Sequence, residues 1–240
     1  MAKLKKNGNL SGAIGNFIFV NKNGKLHVQQ KSKTYNQSPN SENAAVAYGQ
    51  NSNQDRAVRQ AITEKIYIRN YHCFVVNHRT RIQKTMVQTI DAQGESSIQY
   101  TNPQPMVGTI FNNDWDWEKA TNFYPDYDLD ADQVMTVKIP QLTLGKQIKL
   151  PRNAEWANLK MYAFTIDPNQ KNPEANILSS LSLDLEKNKN VPAQDWVFDM
   201  PKDAFWALVI ATISYTSGKN NIAEEQKHTG TYLWAKKIQD

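Results

Sequence analysis

Between residues 134 and 236 the chain runs through seven short apolar segments separated by turn residues, and this repetition restricts the fold more than any other feature. The segments are Val134–Ile139, Lys146–Leu150, Leu159–Ile166, Leu178–Leu185, Trp196–Phe198, Phe205–Tyr215 and Thr231–Lys236. Asp167-Pro168-Asn169 and Ser217-Gly218-Lys219-Asn220 break the series, because proline lacks a ladder donor while glycine and asparagine tolerate turn conformations. Leu159, Met161 and Ala163, and again Leu181, Leu183 and Leu185, recur at every second position, which turns one side of a strand toward a core. Short strands repeated over roughly a hundred residues predict an antiparallel, immunoglobulin-like β-sandwich.

The N-terminal part has a different pattern. Asn23-Gly24 lies between two β-prone runs and predicts a hairpin over residues 13 to 31, with Lys22 and Lys25 at its tip. Gly12 and Gly15 predict a bend or bulge at its entry. Residues 31 to 54 are polar and read as a connector, helical at most around Asn43 to Tyr48 with Ser41 as a cap. From Asp55 a helical period begins: Ala57, Val58, Ala61, Ile62 and Ile66 share a face, with Arg56, Arg59, Glu64 and Lys65 largely elsewhere. A second helical stretch places Tyr71, Phe74, Val75, His78, Ile82 and Met86 three or four residues apart. The pattern leaves open whether the helix bends or continues between Ile66 and Tyr71. Residues 91 to 133 read as irregular and acidic, with Trp115, Trp117, Tyr124 and Tyr127 marking a folded loop or an interaction surface. The expected layout is α+β: a basic hairpin and helical region at 1–90, an acidic aromatic segment at 91–133 and a β-sandwich at 134–240.

Charge divides along the same line. The first 90 residues carry 14 Lys and Arg against Glu42, Asp55 and Glu64, net +11, which leaves the remainder at −6. Such asymmetry bears on partners and association rather than on fold. It predicts a structural or assembly protein whose copies attract head to tail, a homo-oligomer or part of a larger assembly. Lys22, Lys25, Lys31 and Lys33 form its basic side, and Trp115, Trp117 and Tyr124 its aromatic anchors. The same lysines, with Lys3, Lys5, Lys6, Arg79, Arg81 and Lys84, allow a second reading as a nucleic-acid-binding accessory protein. A third reading, a carbohydrate-binding module, would stack sugar rings on Trp115, Trp117 and Trp156.

Reaction chemistry has no comparable signal. A Gly-rich phosphate loop, a Gly-x-Ser-x-Gly elbow and a His-Glu-x-x-His motif are all missing, so no enzyme activity and no cofactor is expected. Asp126, Asp128, Asp130 and Asp132 alternate like the start of a calcium loop and would share one face if extended. Ala131 and Val137, however, stand where an EF-hand needs glycine and a bidentate glutamate. His72 and His78 are six residues apart and do not make a metal pair, and Cys73, flanked by apolar residues, reads as a buried structural thiol. Asn7-Gly8-Asn9 interrupts the basic N-terminus where an export signal needs apolar residues, and no apolar run approaches the roughly 18 residues of a membrane span. A cytoplasmic or virion setting is therefore expected.

Leu10-Ser11-Gly12-Ala13-Ile14-Gly15-Asn16-Phe17-Ile18, then Asn23-Gly24-Lys25 and a helical stretch carrying Gln54-Asp55-Arg56, resembles an uncharacterised protein family of Bacteroidota. Its members begin with a Ser-Gly-x-x-Gly-Asn hairpin, continue with a helix and end in an immunoglobulin-like domain. Ser11, Gly12, Gly15 and Asn16 are the specific matches, and the long polar stretch at 31–54 is a departure. The resemblance implies a bacterial or mobile-element setting and a phage or other particle component; it brings no established activity.

Overall fold

The computed structural model describes residues 3–4, 10–22, 25–31, 38–68, 71–90, 96–152, 154–217 and 227–239. Two compact units are present, Met1–Asn43 and Ala44–Asp240. The protein is mixed α+β, and its sheets are built from antiparallel pairs.

The first unit holds a four-stranded sheet in the order β1 (Lys3–Leu4), β2 (Leu10–Ile14), β3 (Phe17–Lys22), β4 (Lys25–Gln30). The expected hairpin is there: β3 pairs with β4 from Phe17↔Gln30 to Lys22↔Lys25, while its turn, Asn23-Gly24, lies outside the described residues. A second hairpin precedes it. β2 and β3 are joined by Gly15-Asn16, with Gly15 at φ +56°, a conformation that L side chains rarely adopt. The glycine that signalled a bend therefore makes a tight turn.

α1 (Pro39–Thr63) corrects the expected connector, because residues 39 to 54 are helical. Ser38, rather than Ser41, caps it, its Oγ accepting from the Ser41 amide at 3.3 Å, and Pro39 supplies a preset φ in the first turn. Ala47, Asn51, Asp55, Val58, Arg59 and Ile62 are buried at helical spacing, so a polar composition concealed an inward face. Arg59, expected to face away, is on that face. The helix ends at Thr63, and α2 (Tyr71–Ile82) buries Phe74, His78 and Ile82. Met86 does not extend α2. It opens β5 (Met86–Ile90), which pairs with β6 (Ser96–Tyr100) inside the stretch expected to be irregular. α3 (Trp117–Ala120) follows, its amides capped by the Asp116 carboxylate.

Next come β7 (Asp126–Leu129), β8 (Val134–Ile139), β9 (Leu142–Thr143), β10 (Trp156–Ile166), β11 (Asn176–Glu186), β12 (Asn190–Val191), β13 (Gln194–Asp199), β14 (Trp206–Thr216) and β15 (Thr229–Lys237). Six of the seven predicted segments are strands. Lys146–Leu150 is not: Gly145, at φ +92°, turns the chain, and Ile148 makes only isolated bridges to Thr121 and Leu144. β7 was missed because its alternating aspartates mimic a loop.

β11-β10-β14-β15 form one sheet and β13-β8-β7 another. Strict alternation in β14 gives each face of the larger sheet its own core. Ala207, Val209, Ala211 and Ile213 join Met135, Val137 and Phe198 of the smaller sheet, while Trp206, Leu208 and Ile210 join Val58, Ile62, Phe74 and Ile82 of α1 and α2. In β15 a bulge breaks the register: Val209 pairs with Trp234 and Ile210 with Tyr232, leaving Leu233 as the extra residue.

Candidate functional site

Antiparallel register sorts the side chains of the N-terminal sheet onto two faces. Ile14 is opposite Phe17 and Phe19 is opposite Val28, and period two adds Leu10 and Leu26 to the same side. Lys25, His27 and Gln29 point to the other side, together with Ala13, Ile18 and Val20. No described residue of this sheet is buried. Ile14 is 51% exposed, Phe17 54%, Leu26 44% and Val28 55%. Complete burial of such side chains is worth about 1.5–3 kcal/mol each, so roughly 3–6 kcal/mol of apolar burial is unrealised on this face. Contiguous exposed apolar faces of this kind are uncommon on monomeric proteins.

The second unit holds a buried polar network. Asn51, Asp55 and Arg59, at successive i, i+4 positions of α1, all turn inward. Asp55 accepts from His78 Nδ1 at 2.7 Å on one oxygen, and from Arg59 Nε at 2.9 Å and Arg79 Nε at 3.4 Å on the other. A carboxylate only accepts, so Nδ1 carries the proton and Nε2 accepts from the Tyr232 hydroxyl at 3.0 Å. Arg59 also donates to Tyr71, and Tyr100 donates to Asn51 at 2.9 Å.

Burial raises the Asp55 carboxyl, but the His78 hydrogen bond and the charges of His78 and Arg59 outweigh it and hold the pKa below the ordinary value. Burial lowers the His78 pKa against the opposing bond and charge of Asp55. Burial, then the Asp55 charge, pushes Tyr100 and Tyr232 up. Although Asp-His-Tyr is a proton-relay set, the side chains of Asp55 and His78 are fully buried and so is Tyr232. The arrangement ties α1 to α2 and β15. Sequence patterning missed it because Asp55 and Arg59 read as surface charges; their i, i+4 spacing to Asn51 was the available signal.

A cavity of about 230 Å³ opens beside α3. Val107, Ile110, Trp117, Tyr124 and Leu233 give it apolar walls, with Glu118, Asp116 and Arg81 at its margins. Arg81 is turned to the carbonyls of Pro105 and Gly108, at 3.4 and 3.3 Å.

Compared with known proteins, the chain matches no family model, no curated protein and no solved structure.

The residues singled out in the sequence are distributed as follows. Lys25 and Lys31 are exposed, Lys22 is placed by its backbone opposite Lys25, and Lys33 lies outside the described residues. Arg79 is held by Asp55 and, through a hydrogen bond that raises its pKa, by Tyr48. With Arg81 on carbonyls, Lys84 is the exposed cation of the three offered for nucleic acid. Trp117 and Tyr124 meet in the cavity, but Trp117 is buried and its Nε1 donates to the Phe123 carbonyl. Trp115 is half-buried under the Lys227 ammonium, and Trp156 begins β10, so the three tryptophans form no common platform. Asp126 and Asp128 are exposed on β7, whereas Asp130 accepts from the Val134 amide at 2.8 Å and Asp132 sits in the following turn. Among the described residues no group of three His, Cys, Asp or Glu could hold a metal ion. Cys73 is half-buried rather than buried. No helix among the described residues is long and apolar enough to cross a membrane.

Proposed function

We propose that this protein is a non-enzymatic structural or assembly protein whose N-terminal sheet makes protein–protein contacts. The observation that carries this reading is the alignment of Leu10, Ile14, Phe17, Phe19, Leu26 and Val28 on one face of a four-stranded sheet with no buried residue of its own among those described. Small sheets need an apolar face covered to be stable, and a partner supplies that cover. The six-residue edge strand β4 offers backbone groups for strand addition as well. In the second unit, two antiparallel sheets around one core support an immunoglobulin-like reading, a scaffold common among modules that present surfaces to other proteins.

Nucleic acid binding is the less favoured reading, since Arg79 and Arg81 have internal partners and the exposed lysine of β4 lies opposite the aromatic face. The test is the solution mass by light scattering, at low and high salt, with absorbance at 260 and 280 nm across the peak. A multimer free of nucleic acid whose mass falls in Phe17→Asp/Val28→Asp is expected. A wild-type chain that stays monomeric at its highest soluble concentration would refute the assembly role.

A further inference from the structure

We propose that the cavity between α3 and β15 is the acceptor for the lysine-bearing N-terminal sheet of a second copy of this chain, so that assembly runs head to tail. The inference rests on the assembly reading and names the partner.

Chemistry at the cavity selects a cationic, partly apolar guest. Ile110 and Tyr124 are exposed beside it, at 37% and 59%, and can cover the aliphatic stem of a lysine. Glu118 stands at the margin without an ion pair among the described residues, whereas Asp116 is already engaged by Lys119 at 3.1 Å. Arg81 is a second charge at the margin; its guanidinium donates to backbone carbonyls and leaves the Glu118 carboxylate without an ion pair among the described residues. Tyr124 registers the same field: burial first, then the charges of Glu118 and Asp116, raise its pKa. The unpaired Glu118 carboxylate is therefore the group that an incoming ammonium would engage.

The complementary surface is on the same polypeptide. Met1–Asn43 carries seven lysines against Glu42 alone; the face of its sheet opposite Phe17 and Val28 exposes Lys25 near Val20, and Lys31 is exposed just past the end of β4. A cavity with apolar walls and a free carboxylate matches a sheet with apolar residues and free ammonium groups in both respects. Donor and acceptor are different surfaces, so the contact is heterologous and each added copy leaves one of each unfilled.

Charge reversal on the full chain tests the pairing. Glu118→Lys alone, and Lys25→Glu/Lys31→Glu alone, are expected to weaken self-association about tenfold or more by light scattering, and all three substitutions on one chain to restore it. Tyr124→Ala, at an exposed position, gives a charge-neutral second reading of the acceptor and is expected to weaken association as well. Wild-type association in the Glu118→Lys and Tyr124→Ala chains, or no recovery in the combined variant, would overturn the pairing while leaving assembly through the sheet intact. A monomeric wild-type chain would overturn both.

Discussion

Asp55→Asn tests the buried network most directly, because it keeps the shape of the side chain and changes only its charge and hydrogen-bonding capacity. Asp55 presents two acceptor oxygens to three donors, at 2.7, 2.9 and 3.4 Å. An amide replaces one oxygen with an NH2 group and removes the charge: turned toward Arg59 the NH2 faces Nε–H, turned toward His78 it requires the other imidazole tautomer, and in both cases the buried Arg59 guanidinium loses its counter-ion. The Arg59 side chain is only 4% exposed and that of His78 fully buried, so neither can turn to water. Removing one partner of a buried ionic network costs about 3–5 kcal/mol. With a urea dependence near the top of the range for small proteins, about 3 kcal/mol per molar, the midpoint falls by roughly 1–1.7 M at unchanged slope. Tryptophan fluorescence follows the transition, since Trp206 is fully buried in the core shared with α1 and α2 and its Nε1 donates to the Thr101 carbonyl at 2.6 Å. Replacing Asp55, Arg59 and His78 together by Leu, Met and Leu, with Tyr232→Phe to remove the hydroxyl that His78 held, should recover most of the loss. A midpoint for Asp55→Asn within about 0.3 M of wild type, corresponding to less than about 1 kcal/mol, would refute the account of these groups as a lock.

Acid should weaken the fold in two steps. The folded His78 pKa lies below 6.5, so its contribution is complete above that value and is lost as pH falls toward the folded value; Asp55, held below 3.8, adds a second loss under that pH. Urea midpoints measured between pH 8 and pH 3 check this, and stability that rises on acidification from pH 7 to pH 5 would contradict it. Gly230→Ala should destabilise by about 1–3 kcal/mol through overpacking. The new Cβ would lie 2.7 Å from Phe111 Cδ2 and 2.9 Å from the Ala211 carbonyl oxygen, and thermal unfolding would reveal the loss.

The strands of the second unit were legible because apolar alternation and turn residues agree. Val134–Ile139 was found with its observed ends, and the Phe205–Tyr215 run differs from β14 by one residue at each end. α1 was not legible as one helix, only as two pieces, around Asn43 to Tyr48 and from Asp55 on. Between them Gly49 to Gln54 holds no apolar side chain, and the inward face mixes Asn51, Asp55 and Arg59 with Val58 and Ile62, so no continuous apolar stripe joins the two. The partners that make those residues interior ones, His78 and Tyr232, come from α2 and β15, and long-range contacts of that kind leave no trace in local pattern. The cavity was half legible: Trp117 and Tyr124 were chosen for their chemistry, while Arg81 and Leu233 enter through tertiary contact.

The bulge in β15 has a further consequence. Leu233 has no opposite number on β14, yet it lies against the core between the two sheets and forms part of the cavity wall. Deleting it would let Tyr232 and Trp234 follow one another in regular pairing, with each on its present side of the sheet. Chain length at this single position thus changes the cavity while leaving both cores in register. Deletion of one residue would therefore remove a wall of the recess without the compensating changes that reshaping a packed interior by substitution demands.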